Sequence, residues 1–140
     1  MPLKATEEDI MGAIAREFPQ VAGDFSIEAL DEGQVTVRLN VQEKHLRPGG
    51  TVSGPSIFGL ADVAVWIATM SMIGPQTMAV TTNASLDFMR KPAAGQDLLA
   101  ECRLLKLGRV LAVGDVLIYS DGSEAPVARA SMTYSIPPAR

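Results

Sequence analysis

The chain is short of the residues from which most recognisable sites are built. Cysteine occurs once, at Cys102, so no disulfide can close within the chain. Histidine also occurs once, at His45, and one His with one Cys cannot make a conventional zinc cluster. An excess of basic residues is missing too. Twelve Lys and Arg stand against sixteen Asp and Glu, a net charge of -4, which argues against a general nucleic-acid-binding face. The opening "MPLKATEEDIMGAIAREFPQ" has no apolar signal core and carries acids where a signal peptide is basic. With the lone cysteine, this sets a cytoplasmic expectation. Repeats, low-complexity tracts and linkers are absent, so residues 1–140 read as one domain.

Charge is scarcest in the middle. From Pro48 to Leu86 the single charged side chain is Asp62. It stands inside "GPSIFGLADVAVWIATMSMIG", where Ile57, Leu60, Ala61, Ala64, Val65 and Ala68 form one apolar stripe. Phe58, Val63, Trp66, Ile67 and Met70 cover most of the rest. A helix apolar on nearly all sides is wrapped by protein. The run is short for a membrane span, and a central acid is costly in lipid, so a buried helix over 54–73 is expected, with no membrane partner. Pro55 suits its first turn and Gly74-Pro75 its end.

The rest of the chain alternates. A short amphipathic helix within residues 1–20 begins at Thr6, with Asp9 three residues on, and closes at Pro19. Strands follow near Phe25–Leu30 and Gln34–Val41, joined by the turn residues "DEGQ". "RPGGTVSGP" is too rich in Gly and Pro for helix or central strand. After the helix come four long strands within 77–136: Thr77–Met89, Leu98–Leu107, Arg109–Tyr119 and Val127–Ile136. The class is α+β, with a curved, mainly antiparallel sheet of about six strands around one long helix. The sheet covers one side of that helix, and a second subunit is the natural cover for the other.

The order of elements and one motif together resemble the hotdog-fold acyl-CoA thioesterases of the phenylacetate-degradation type. That family reads H-L-N-P-x-G-x-x-H-G-G, then L-A-D. This chain reads His45-Leu46-Arg47-Pro48-Gly49-Gly50-Thr51-Val52-Ser53-Gly54-Pro55, then Leu60-Ala61-Asp62. Arg47 replaces the motif Asn, Ser53 the motif His and Pro55 the second Gly. The resemblance implies hydrolysis of an acyl-CoA to free acid and thiol, with no cofactor beyond the CoA of the substrate. It implies a site at a homodimer interface, the dimers assembling into tetramers, with the glycine loop and the acid supplied by different subunits.

Thioester hydrolysis needs a base or nucleophile and an N–H aimed at the carbonyl oxygen. Asp62 fits the first role and Gly54 N–H the second, because Pro55 has no N–H to give. Asp62 also has a plainer reading, an acid that only binds a neighbouring hydroxyl. Thr81 matches the family's strand hydroxyl, whereas Thr82 points to the opposite face. Ser53 is read as assisting, either at the ligand carbonyl or as the residue that opens the helix. A Ser53–His45–Asp triad is improbable, since "VSGPS" lacks the first Gly of G-x-S-x-G. His45 is expected on the loop surface, and Cys102 on a core face with Ala100 and Leu104.

Arg47 suits a CoA phosphate, a substrate carboxylate or a partner's Asp62. Arg90, Lys91, Lys106 and Arg109 lie at or near turns where phosphates could meet them. Phe58, Trp66, Met70 and Met72 are candidate walls of an acyl pocket or plain core. Two other functions fit the same fold. A non-catalytic acyl-CoA binding protein is motivated by the changed motif. A hydratase ranks last, because no His follows Asp62.

Overall fold

The computed structural model describes residues 2–138. Helix α1 spans Glu7–Glu17 and opens on a capping box. Asp9 N–H donates to Thr6 Oγ1 at 3.1 Å, and Thr6 N–H to the Asp9 carboxylate at 3.0 Å. Ile10, Ala13 and Ile14 are its buried face. Pro19 does not simply end the segment: it starts a second short helix, α2, at Pro19–Ala22. A proline at the first helical position loses no hydrogen bond, which is why the chain can turn helical again there.

Strands β1 (Phe25–Asp31) and β2 (Gln34–Leu39) form the hairpin, turning at Gly33 with φ 66°. β2 stops at Leu39, two residues short of the expected Val41. Beyond it the backbone leaves the ladder: Asn40 N–H bonds Asp24 O, and Val41 N–H bonds the Asp97 carboxylate. Helix α3 spans Gly54–Ile73. The last four strands are β3 (Val80–Phe88), β4 (Leu98–Leu107), β5 (Leu111–Ser120) and β6 (Ala128–Ser135). β3 begins later than Thr77 because Gly74 (φ 110°) and a tight turn occupy the lead-in, and Thr77 Oγ1 is tied to Glu17.

All six strands make one antiparallel sheet in the order β1-β2-β4-β5-β6-β3. α3 lies across its inner face, as the hotdog fold requires. Length and composition alone would let α3 cross a bilayer, but 72% of its apolar window is buried inside the protein. Its contact with the sheet is unusually close at one point. A Cβ on Gly114 of β5 would stand 2.8 Å from Val65 Cγ2, so only glycine lets the helix settle there. Ile57, Leu60, Ala61, Ala64, Val65, Ile67, Ala68 and Met70 are buried in the resulting core. Cys102 is buried there as well, and burial pushes its thiol up to about 12, far from a reactive thiolate.

Candidate active site

Asp62 is half-buried near the middle of α3. Its position follows from helix periodicity: it falls between the sheet-facing Ala61 and the exposed side, so one edge meets β3 and β6. Thr81 of β3 and Tyr134 of β6 are directly paired across the ladder. Both hydroxyls turn toward the helix. Thr81 Oγ1 donates to Asp62 Oδ1 at 2.5 Å, and Tyr134 Oη lies 2.7 Å from the same oxygen and 2.9 Å from the Asp62 carbonyl. No described residue donates to Oδ2. The carboxylate is therefore oriented through one oxygen and open at the other.

A register shift follows Thr81, leaving Thr82 out of the pairing. Such bulges re-aim side chains beside functional sites. Thr82 is exposed, with its hydroxyl toward Thr133 O. Tyr134 is a contact of Asp62 that sequence reasoning misses, although its phase with Ala130 and Met132 on β6 is readable. Burial, and then the nearby Asp62 charge, push its phenol well above the ordinary tyrosine value, so it stays a neutral donor.

Ser53 caps α3. Its Oγ accepts from Ser56 N–H at 3.3 Å and donates to Ser56 Oγ at 3.1 Å. The first intrahelical bond runs from Ile57 N–H to Ser53 O. With Ser56 N–H capped and Pro55 lacking one, Gly54 N–H is the free donor at this helix end. The Phe88 ring rests against Gly54, 3.8 Å from where a Cβ would be. Arg47 opens the "RPGG" turn, with Gly50 N–H bonded to Arg47 O and positive φ at Gly49 and Gly50.

His45 is buried, not on the loop surface as expected. Its Nδ1 accepts Gln42 N–H at 2.9 Å, and its Nε2 faces Asp24 at 3.6 Å. Lys44 and the Gln42 side chain bind the other Asp24 oxygen. The imidazole is a pin that holds the loop before the glycines. A bond to the backbone on one nitrogen and an acid on the other leave it no hand free for Ser53.

The remaining candidates separate. Phe58 is exposed, at 40%. Trp66 is buried, its ring meeting Phe18 edge-on at 6.1 Å. Trp66 Nε1 is the one buried side-chain polar atom without a hydrogen-bond partner among the described residues, an omission that costs about 1–3 kcal/mol. Met70 belongs to the core, and Met72 Sδ accepts Gly33 N–H at 3.3 Å, so neither walls an open pocket. Arg90 is held by Pro126 O at 2.7 Å; Lys91, Lys106 and Arg109 are exposed. Arg90 and Lys91 follow the Phe88 end of β3. Arg109 lies by the Thr81 end, where Ile136 N–H bonds Val110 O. Two surface hollows, one lined by β1, β2, β4 and β5 and one by β4, β5 and the turn after β5, contain none of these groups.

A six-stranded antiparallel sheet around one long helix is the hotdog arrangement, and here an oriented acid stands near the middle of that helix. The family model for the thioesterase superfamily matches residues 49–127, and the chain belongs to that family. A crystal structure described as a candidate thioesterase, from Silicibacter sp. TM1040, is 60% identical; it covers 99% of this chain and 96% of that one, with a TM-score of 0.91. Human acyl-coenzyme A thioesterase 13 is 28% identical over 104 residues, 73% of this chain and 72% of its own length. A point variant of the phenylacetic acid degradation protein PaaI from Thermus thermophilus is 28% identical, covering 85% and 99%, with a TM-score of 0.72.

Proposed function

We propose that the protein hydrolyses acyl-CoA thioesters at a composite site formed twice in a homodimer. One protomer supplies Asp62, Thr81 and Tyr134, and its partner supplies Gly54 N–H. The observation that carries the reading is the Asp62 carboxylate, bound by two hydroxyls through Oδ1 and open at Oδ2 in an otherwise apolar helix.

Distance argues for two chains. Gly54 and Asp62 are eight residues apart, ~12 Å along the helix axis, too far to serve one carbonyl from a single chain. β3 is a sheet edge whose outer side is unpaired, and Val80 (58%) and Phe88 (57%) are exposed on it. Unpaired apolar edges recruit another strand. Antiparallel self-pairing about the middle of β3 sets the Thr81 end of one protomer beside the Phe88 end of the other. Because Phe88 rests on Gly54, Asp62 then faces the partner's Gly54. The same pairing brings Arg109 of one chain near Arg90 and Lys91 of the other. With Arg47, they make a basic rim for CoA phosphates. Phe58 and Trp66 flank Asp62 on the acyl side. Exposed Leu105 and Leu117 suit a further pairing of dimers.

The chemistry follows. Asp62 Oδ2 takes a proton from water as the oxygen adds to the thioester carbon. Gly54 N–H receives the developing oxyanion, assisted by the positive end of α3. The tetrahedral adduct expels the CoA thiolate, which recovers the proton from Asp62. Thr81 and Tyr134 hold the carboxylate in line, and Ser53 caps the helix so that Gly54 N–H stays free. No cofactor enters these steps, and the setting is cytoplasmic, where CoA esters are handled.

Thiol release from a panel of acyl-CoAs, wild type beside Asp62→Asn, tests the proposal. Retained size with loss of the base predicts a fall of roughly 10²–10⁴ in rate. A wild type that binds acyl-CoA but releases no thiol would overturn hydrolysis in favour of a binding protein. The change of the motif His to Ser53 gives that outcome its weight.

A further inference from the structure

Every other buried side-chain polar atom among the described residues has a partner. Thr69 Oγ1 bonds Val65 O, Ser71 Oγ bonds Ala68 O, and Tyr134 bonds Asp62. The exception is the indole N–H of Trp66, in a side chain that is 8% exposed. Orphan donors are rare in native structures and call for a reason. Packing alone does not need one, since apolar rings fill a core without bringing a donor into it. The location supplies a reason. Trp66 is four residues after Asp62, the neighbouring position on the same helix face. It is also the only tryptophan in the chain. Its ring touches Phe18, which is 40% exposed at the joint between α1 and α2, where the backbone leaves helical geometry (φ -139°, ψ 56°). An aromatic pair thus runs from the surface to the enclosed donor, in a side chain one helical turn from the acid.

Resting on the hydrolase reading above, we infer that Trp66 Nε1–H binds an oxygen acceptor on the acyl group, one helical turn from the thioester carbonyl. The substrate class is then an acyl-CoA with a keto, hydroxyl or ether oxygen about 5–6 Å along the chain from the scissile carbon, rather than a plain hydrocarbon acyl group. Phe18 flanks the path by which the acyl group reaches the indole. An acyl group without the oxygen leaves the donor unsatisfied, as it is in the free protein. One with it gains the hydrogen bond only when bound, so the donor reads chemistry rather than length.

The test compares hexanoyl-CoA with its β-, γ- and δ-oxo analogues, by hydrolysis with wild type and Trp66→Phe, and by Trp66 fluorescence as each ligand is added to Asp62→Asn protein. The δ-oxo analogue, whose oxygen stands at that distance, is expected to exceed hexanoyl-CoA about tenfold in kcat/KM, the worth of one hydrogen bond, and a preference for the β- or γ-oxo analogue instead would overturn the inference. That preference disappears in Trp66→Phe, and the same ligand alone moves the emission to longer wavelength. A purely structural tryptophan would instead change all four substrates alike. Equal rates and identical spectra for all four, or a preference that survives Trp66→Phe, would overturn the inference. Should wild type release no thiol while the keto ligand still shifts the emission, the hydrolase reading fails and the Trp66 contact stands. Emission is read without Trp66→Phe, so a misfolded variant does not remove the test.

Discussion

Strands β5 and β3 belong to one sheet, yet one is complete and the other is not. β5 is paired on both edges, and its inward residues Ala112, Gly114, Val116 and Ile118 are all buried beneath α3. β3 is paired on one edge only. Val80 and Phe88 remain exposed, and Met78 and Met89 beyond its ends are exposed as well. A strand that the chain finishes by itself stores stability. A strand left unfinished keeps an unpaired edge, the one on which the proposed dimer is built, and the candidate site lies around it: Thr81 near one end, and Phe88 with Gly54 at the other. If that division is right, changes at β5 alter folding and spare the reaction, while changes at β3 do the reverse.

After Asp62→Asn, the largest effect belongs to the proposed oxyanion donor, Gly54 N–H. Gly54→Pro removes one N–H at a position where proline is welcome, so the helix survives. Turnover should fall about 10²–10³-fold, as for loss of one oxyanion donor. Mixing this variant with Asp62→Asn sharpens the test. In a mixed dimer one site has both groups intact, so activity returns to about a quarter of wild type under random exchange across a two-fold interface. Two inactive variants that stay inactive after exchange would mean that each site is built from one chain. Next in size is the edge itself. Val80→Lys with Phe88→Lys puts charge where a partner strand should pair. Sedimentation velocity should show monomers, with activity down at least about tenfold at concentrations where wild type is dimeric. A fully active monomer would break the comparison.

Much of this was legible in the sequence, for definite reasons. α3 showed itself because its twenty residues carry a single charge and begin and end at Pro55 and Gly74-Pro75. β4 was readable end to end because Leu98, Ala100 and Cys102 alternate without interruption. Asp62 and Thr81 were singled out through the motif and strand phase, and the structure brings them into contact. Other features were hidden. His45 looked like a loop residue because burial in a loop depends on Asp24, far back in the chain, which no local pattern announces. Tyr134 needed the β3–β6 pairing, a non-local fact. The orphaned Trp66 N–H is a matter of what is missing around one atom, and periodicity carries no trace of it. The short helix α2 was masked because Pro19 reads equally as a stop and as a start.

Gly114 should act only on the stable side. In Gly114→Ala the new methyl meets Val65 Cγ2 at 2.8 Å and Cγ1 at 3.0 Å, so helix or strand must shift. Overpacking of this kind costs about 1–3 kcal/mol, a fall of several degrees in Tm for a chain of this size. Activity per folded molecule should hold, and Val65→Ala in the same chain should recover part of the loss, a non-additivity expected of groups in contact. A variant of normal Tm but low activity would mean that β5 reaches the site.

The smallest effect lies one layer beneath Gly114, where Cys102 Sγ would be 3.4 Å from the added methyl. Burial raises its thiol to about 12, from an ordinary value of 9.0. The sign follows from which state holds the proton. Below pH 9 the thiol is protonated in both states, and its contribution to stability is fully present. Between pH 9 and 12 the unfolded chain releases the proton and the folded chain keeps it, so stability is lost as pH rises, by about 1.4 kcal/mol per pH unit at most. Tyr134, also raised, adds a second loss beginning near pH 10. Urea unfolding of wild type and Cys102→Ala across this range separates the two. The variant begins less stable because of its small cavity, and the gap should narrow from about pH 9 upward as wild type alone bears the thiol's loss. A gap that stays constant with pH would mean that the thiol ionises as easily folded as unfolded, and that water reaches the layer under β5 which the comparison treats as closed.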